Sequence, residues 1–238
     1  IGVSKNIPTN PSIFEELKLE DQIKHYREDI RDLSKMIDII SNEKPDFVFH
    51  LAAQPLVLTS YTDPIETISS NVMGTANILE AMKTLNNKCT AIIITSDKAY
   101  DNVEQVLGYK EDDKLGGKDI YSGSKGAAEL IIKSYYHSFL KNKNSNLKLA
   151  IGRAGNVIGG GDWAKDRIVV DCMKAWSEDK IAEIRTPKAT RPWQHVLEPL
   201  SGYLNLGAEL SVNDNLMGEA FNFGPDEEQN ATVEELIV

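Results

Sequence analysis

Tyr121-Ser-Gly-Ser-Lys125 places a phenol and an ammonium four residues apart. Residues at that spacing share one face of a helix, so on a helix the two groups serve one small-molecule site. A neighbouring cation favours phenolate and draws a tyrosine from its usual pKa of about 10 toward the working range of a general base. Such a base takes the proton of an alcohol as hydride leaves the carbon that bears it. The spacing alone fits a solvated helix face or an ordinary core tyrosine equally. The upstream segment Ile92-Ile-Ile-Thr-Ser-Asp-Lys98 favours chemistry, because an apolar run ends there in two hydroxyls, a carboxyl and an amine.

The elements that position these groups read as alternating strands and helices. Asp46-Phe-Val-Phe-His-Leu51, Thr90-Ala-Ile-Ile-Ile-Thr95 and Lys148-Leu-Ala-Ile-Gly-Arg153 are short apolar runs of strand length, as in strands buried on both faces of a parallel sheet. Leu33, Met36, Ile37 and Ile40 form a helical stripe behind Asp32, a candidate N-cap. Asp63-Pro64 opens a further helix carrying Ile65, Ile68, Val72, Leu79 and Met82. The alternation predicts an α/β fold, a Rossmann-like doubly wound parallel sheet with right-handed crossovers. Active sites of such sheets lie beyond the carboxyl ends of the strands. Three ends here, Ala52-Ala53-Gln54, Thr95-Ser-Asp-Lys98 and Ala154-Gly-Asn156, are expected to converge on one crevice.

After Arg153 the pattern loosens into Gly159-Gly-Gly-Asp-Trp163, a helix near Ile168–Trp176 and an arginine-rich turn at Arg185–Arg191. Glu198–Leu210 reads as a helix, Ala220–Phe223 as a strand, and Thr232-Val-Glu-Glu235 as a capping box. The expected division is a dinucleotide-binding domain over 1–153 and a smaller substrate-binding region over 154–238, with about 191–212 packing back on the first domain. A dinucleotide-binding half begins with a strand, a glycine-rich turn and a helix. Ile1-Gly2-Val3-Ser4 resembles the tail of a second strand instead, so the N-terminal part reads as truncated.

The chain has 238 residues, 41% hydrophobic and 26% charged, enough to bury a core. With 26 Lys and Arg against 36 Asp and Glu, its net charge of -10 argues against general affinity for nucleic acid or acidic membranes. A phosphorylated ligand then requires local arginines. Cys89 and Cys172 give neither a disulfide framework nor metal-ligand spacing. They read as buried small residues of a cytoplasmic protein, and no metal is expected.

Five phrases carry a resemblance: His50-Leu-Ala-Ala-Gln-Pro55, Thr95-Ser-Asp-Lys-Ala-Tyr100, Tyr121-Ser-Gly-Ser-Lys125, Arg153-Ala-Gly-Asn-Val-Ile-Gly-Gly-Gly-Asp-Trp163 and Ala189-Thr-Arg-Pro-Trp-Gln-His195. The set resembles the extended short-chain dehydrogenase/reductases that modify nucleotide sugars, the NAD-dependent epimerase/dehydratase family, over about Pro8 to Pro225. Within that family the second, fourth and fifth phrases resemble 4,6-dehydratases. The resemblance implies a lyase that uses and regenerates NAD within each turnover, with CDP-glucose as the nucleotide sugar and a role in deoxysugars of surface polysaccharides such as O-antigen. A homodimer or tetramer is implied, without nucleic acid or membrane partners. Alternatives left open are an epimerase or dehydratase acting on a dTDP-, GDP- or UDP-sugar, and a non-catalytic cofactor-binding scaffold.

By the same resemblance, Tyr121 deprotonates the sugar 4-hydroxyl, Lys125 supports it and holds the nicotinamide ribose, and Ser96 bonds the same oxygen. Asp97 protonates the departing 6-hydroxyl. Lys98 stands where related dehydratases carry a glutamate base, and reads either as the carbon 5 base or as an ammonium partner for a phosphate or carboxylate. Asp29 and Ile30 match the adenine contact. Leu51, Ala52, Ala53, Thr95 and Ala154 complete the cofactor set with Tyr121 and Lys125. Asn71 matches a residue that bridges backbone groups near the active site. Asn156, Arg167 and Arg191 match substrate contacts, Arg191 through its planar fork for a diphosphate. Arg167 fits a plain surface charge equally, and Trp163 and Trp193 fit either a nucleotide pocket or ordinary packing. His50 and His195 read as structural hydrogen-bonders. At Ser4-Lys5 the acidic ribose partner is absent, so the residues leave NAD against NADP open, and the resemblance implies NAD.

Overall fold

The computed structural model describes residues 1–105, 107–141, 145–226 and 229–237. Helix α1 (Leu33–Glu43) starts where the Asp32 carboxylate accepts the Lys35 N–H at 3.1 Å, the capping that its sequence implies. It buries Met36, Ile39 and Ile40. Strand β1 (Phe47–His50) follows, then α2 (Val57–Thr62) and α3 (Pro64–Ile68), the latter capped by Asp63 through Glu66 N–H at 3.0 Å. Ser69–Met73 form one π-helical turn, and α4 (Gly74–Met82) continues in the same direction. Strand β2 (Cys89–Ile94) leads through a short 3₁₀ turn at Asp97–Ala99 toward α5 (Ile120–Tyr135). Strand β3 (Leu147–Ala154), helix α6 (Leu197–Val212) and strand β4 (Ala220–Phe223) complete this set.

The four strands form one parallel sheet in the order β1-β2-β3-β4. Register pairs Val48 with Ala91, Ile92 with Ala150 and Ile151 with Ala220, so the carboxyl ends of neighbouring strands lie side by side. This is the Rossmann-like parallel α/β arrangement that the alternation of elements implies. Ile92 and Ala150 pack with Leu206 and Leu210 of α6, bordered by Phe49, Phe221 and Phe223. Their neighbours Ala91, Ile93, Leu149 and Ile151 are equally buried, so β2 and β3 are covered on both faces. Each buried isoleucine or leucine among them contributes about 1.5–3 kcal/mol. At the edge of the sheet, Phe47 of β1 is 46% exposed, which departs from burial on both faces.

By compactness the chain divides at Ala154/Gly155, beside the expected boundary at Arg153. The sheet unit comprises 29–154 and 198–223; residues 1–28 group with 155–197 and the segment from 224 onward. The first 28 residues thus fall outside the sheet unit, and the returning segment is 198–223 where 191–212 was expected. The second unit is built from two-stranded pairings. Gly2–Val3 lies parallel to His25–Tyr26, Val157–Ile158 parallel to Gln194–His195, and Thr190–Pro192 antiparallel to Asn230–Thr232. It holds the helix Ile168–Ser177 and a last helix, Val233–Ile237. Thr232 and Glu235 exchange capping hydrogen bonds at 2.7 and 3.1 Å there, as the capping box implies. Among the described residues no helix is long and apolar enough to cross a membrane.

Helix α5 approaches the Asp97–Ala99 turn closely because residue 126 has no side chain. A Cβ on Gly126 would stand 2.8 Å from the Gly116 carbonyl oxygen and 3.2 Å from that of Ala99. Gly123, one turn earlier, faces open space. Gly126→Ala is therefore expected to destabilise the protein by about 1–3 kcal/mol through backbone displacement. Gly123→Ala should be neutral or stabilising by up to about 1 kcal/mol from helix propensity. Urea unfolding of the two variants checks the contrast.

Candidate active site

Helix α5 begins at Asp119, whose carboxylate accepts the Ser122 N–H at 3.0 Å and the Ser122 hydroxyl at 2.7 Å. This cap places Tyr121 in the first turn and Lys125 in the next, both on the buried side of the helix. Lys125 is 6% exposed. Burial pushes its pKa down to about 8, opposed by the Glu129 carboxylate one turn further on. Among the described residues no hydrogen bond or salt bridge reaches this ammonium. A buried ammonium with no protein acceptor suits a ligand that brings one, such as the hydroxyls of a ribose.

The turn after β2 meets the same helix. Ser96, 7% exposed, caps the turn: its hydroxyl accepts the Lys98 N–H at 3.3 Å and donates to Asp97 Oδ1 at 3.0 Å. Lys98 Nζ lies 3.6 Å from Asp97 Oδ1, with both side chains about one-third exposed. The turn bearing Ser96, Asp97 and Lys98 and the helix bearing Tyr121 and Lys125 are thus in contact within the sheet unit. Lys98 stands as the partner of a carboxylate.

Asn71, in the π-helical turn, joins three elements. Its Oδ1 accepts the Gln54 N–H at 2.8 Å, and its Nδ2 donates to the Gln54 carbonyl at 3.2 Å and to the Ser124 hydroxyl at 2.9 Å. The Ser124 hydroxyl in turn donates to the Tyr121 carbonyl at 2.7 Å. The end of β1, the bulged helix and the Tyr121 turn are therefore held by one amide. π-turns recur at functional sites because they re-aim one side chain without ending the helix. His50 closes the same region. The Thr75 hydroxyl donates to the Asn71 carbonyl at 2.8 Å, so the 3.1 Å contact between His50 Nε2 and Thr75 Oγ1 uses the imidazole proton. His50 is a structural hydrogen-bonder here.

Around the expected cofactor residues, Asp29 accepts from Arg31 Nη2 at 2.6 Å and from Arg31 N at 2.9 Å. Arg31 also pairs with Glu66. Asn77 Nδ2 donates to the carbonyls of Ile30 and Arg31 at 3.1 and 2.8 Å, and Ile30 packs where a side chain at Gly74 would otherwise stand. The Asp29-Ile30 segment is thus held in place. Leu51 is half-exposed beyond β1, with the small Ala52 and Ala53 following. Thr95 and Ala154 stand at the ends of β2 and β3.

Asn156, Arg167 and Arg191 belong to the second unit. Asn156 Oδ1 and Arg167 Nε are buried with no hydrogen-bond partner among the described residues, although Asp162 lies 3.9 Å from that nitrogen. Arg191 Nη1 donates to the Thr190 carbonyl at 2.7 Å. Trp193 Nε1 donates to the Ala231 carbonyl at 3.1 Å, 38 positions away, and His195 Nδ1 accepts the N–H of the nearby Leu197 at 3.3 Å.

Sequence reasoning passed over Glu129 and Arg153, whose side chains form a fully buried ion pair. Two signals were available: a glutamate one turn after Lys125 in a stretch of glycine, alanine and isoleucine, and an arginine ending an apolar strand.

The GDP-mannose 4,6 dehydratase family matches residues 4–212. A curated CDP-glucose 4,6-dehydratase of Salmonella typhimurium is 47% identical over 99% of this chain and 67% of its own length. The chain belongs to this family. It spans about two thirds of the length of that relative. Among solved structures, a UDP-glucuronic acid 4-epimerase of Bacillus cereus in complex with UDP-glucuronic acid and NAD aligns with a TM-score of 0.77. It is 26% identical, over 94% of this chain and 66% of that one. A dTDP-glucose 4,6-dehydratase of Streptomyces venezuelae, 17% identical, shares the fold at a TM-score of 0.78 over 93% of this chain and 64% of that one.

The environment of His50 makes the site sensitive to acid. Burial, with Lys125 adding to it, lowers its pKa from 6.5 to about 4. Between those values the unfolded chain takes up a proton that the folded one refuses, so stability present above pH 6.5 is lost as the pH falls through about 4. At 1.36 kcal/mol per unit the loss approaches about 3 kcal/mol. His50→Gln, which keeps a donor for Thr75, should reduce the drop in unfolding free energy between pH 7 and pH 4.5 by about 2 kcal/mol, measured by urea titration.

Proposed function

We propose that the chain is a lyase that dehydrates CDP-glucose to CDP-4-keto-6-deoxyglucose. The observation that carries this is the placement of Tyr121 and Lys125 on the buried side of one helix, against the turn bearing Ser96, Asp97 and Lys98. The 47% identical relative supports both substrate and reaction. NAD is the cofactor of this reading, held by Asp29, Ile30, Leu51, Ala52, Ala53, Thr95, Ala154 and Lys125; the partnerless Lys125 ammonium fits it. The chemistry that NAD supplies when bound is hydride acceptance and return.

Tyr121, as phenolate, takes the proton of the 4-hydroxyl as that carbon is oxidised, and Ser96 donates a hydrogen bond to the same oxygen. Lys125 stabilises the phenolate. The resulting ketone makes the carbon 5 proton acidic. Asp97 gives its proton to the 6-hydroxyl, which leaves as water, and the carbon 5 proton passes to a neighbouring base, for which Lys98 of the same turn is the candidate. Reduction at carbon 6 and reprotonation at carbon 5 complete the net loss of one water. Asn156 is proposed to contact the sugar nucleotide, its buried Oδ1, without a hydrogen bond among the described residues, being open to a donor of that ligand; Arg191, with Arg167 beside it, is proposed to hold the diphosphate. A cytoplasmic homodimer or tetramer acting in surface-polysaccharide deoxysugar synthesis completes the reading.

With NAD, CDP-glucose should yield the 4-keto-6-deoxy product in a mass and NMR assay across nucleoside-diphosphate sugars. Turnover of a dTDP- or GDP-sugar in its place would reject the substrate and keep the reaction. Tyr121→Phe is expected to lower kcat at least about 100-fold without loss of fold. Asp97→Asn should block water loss while solvent deuterium and NAD absorbance still report oxidation at carbon 4. Undiminished water loss in that variant would remove Asp97 from the role of acid, and a parent protein that inverts a sugar carbon without losing water would be an epimerase.

A further inference from the structure

Ser96, Asp97 and Lys98 sit in a turn tied down on both sides by the same buried ion pair. Before the turn, the Thr95 hydroxyl donates to Glu129 Oε1 at 2.6 Å. After it, Arg153 Nη1 donates to the Tyr100 hydroxyl at 2.6 Å, and the guanidinium lies 4.7 Å over the Tyr100 ring. Glu129 and Arg153 connect the two anchors: Oε1 accepts from Nε at 2.8 Å, and Oε2 accepts from Nη2. Arg153 Nη1 also donates to the Glu111 carbonyl at 3.1 Å, and Tyr100 donates onward to Asn222 Oδ1 at 2.7 Å. Both charged side chains are wholly inaccessible to solvent.

Stability alone does not account for such a pair, since well-packed apolar side chains of the same volume serve as well or better. What the pair supplies is direction. A two-bonded guanidinium–carboxylate contact fixes both planes, and each plane here holds one hydroxyl. Glu129 rides on the same rigid helix as Tyr121 and Lys125, two turns and one turn earlier. A displacement of α5 therefore moves the phenol and the anchor of the turn together.

We propose that Glu129, locked by Arg153, is a positioning residue: through the Thr95 and Tyr100 hydroxyls it sets where the Ser96-Asp97-Lys98 turn stands relative to Tyr121. The inference rests on the dehydration reading, in which Ser96, Asp97 and Tyr121 meet one hexose.

Thr95→Val and Tyr100→Phe each remove one anchoring hydroxyl and leave the ion pair in place. Thr95→Val and Tyr100→Phe are each expected to lower kcat about 10- to 100-fold, the scale of a misplacement near 1 Å, with KM within about threefold. Without ligand, amide exchange should rise about tenfold in Thr95→Val at Ala99, whose N–H bonds the Ser96 carbonyl at 3.1 Å, and at Lys98. Glu129→Gln, where it folds, should lose at least as much activity as Thr95→Val. Parent-like kcat and exchange in Thr95→Val and Tyr100→Phe would overturn the proposal. A parent protein that dehydrates no sugar nucleotide would refute the functional reading, while the exchange rates still decide whether the anchors hold the turn.

Discussion

Removed from water, a glutamate and an arginine have only each other and a few dipoles to replace what hydration gave them. Glu129 and Arg153 meet that condition with almost every polar atom engaged. Burial opposes the Arg153 charge, yet the hydrogen bond and charge of Glu129 outweigh it and hold the guanidinium above its ordinary range. Because one partner projects from α5 and the other from β3, the helix cannot slide over the sheet without breaking a contact worth about 3–5 kcal/mol to lose. The 95–100 turn is tied to this one contact, and the missing side chain at Gly126 lets helix and turn approach closely.

The electrostatics follow from the same arrangement. Near the strand ends the interior holds one carboxylate, Glu129, and two cationic side chains, Arg153 and Lys125, while burial keeps His50 neutral in ordinary buffer. Below about pH 8 the balance is positive. An environment of that sign favours anions, whether an ionised phenol or the alkoxide of a bound sugar. Overall acidity of the chain and local positivity of the site are compatible because the first belongs to solvated side chains and the second to desolvated ones.

The parts legible in the sequence are those fixed by local periodicity. Ile92-Ile-Ile and Leu149-Ala-Ile read as buried strands because a parallel sheet covered on both faces leaves no polar alternation. The Asp32, Asp63 and Thr232 caps were readable because capping depends on a few adjacent residues. Tyr121, Lys125 and the 95–98 turn were found because their chemistry requires fixed residue types. Long-range choices were less visible. Nothing local marks Gly2–Val3 as pairing with His25–Tyr26 in a unit apart from the sheet, since two-residue strands carry no period. Glu129 and Arg153 lie 24 positions apart, and only their joint burial reveals them as a pair.

Asn71 owes its orientation to a single surplus residue in the winding of the helix between Pro64 and Met82. An α-helix advances about 100° per residue, so this surplus rotates everything after Met73 relative to everything before it. The earlier half packs against α2 and α5, and the later half against α1 and α5. Excising one codon in this stretch would swing Thr75, Asn77 and Leu79 away from their present neighbours all at once. Length at residues 69–73 is thus constrained more tightly than the identity of most residues within it, and related chains that keep this site should vary there by substitution, not by insertion or deletion.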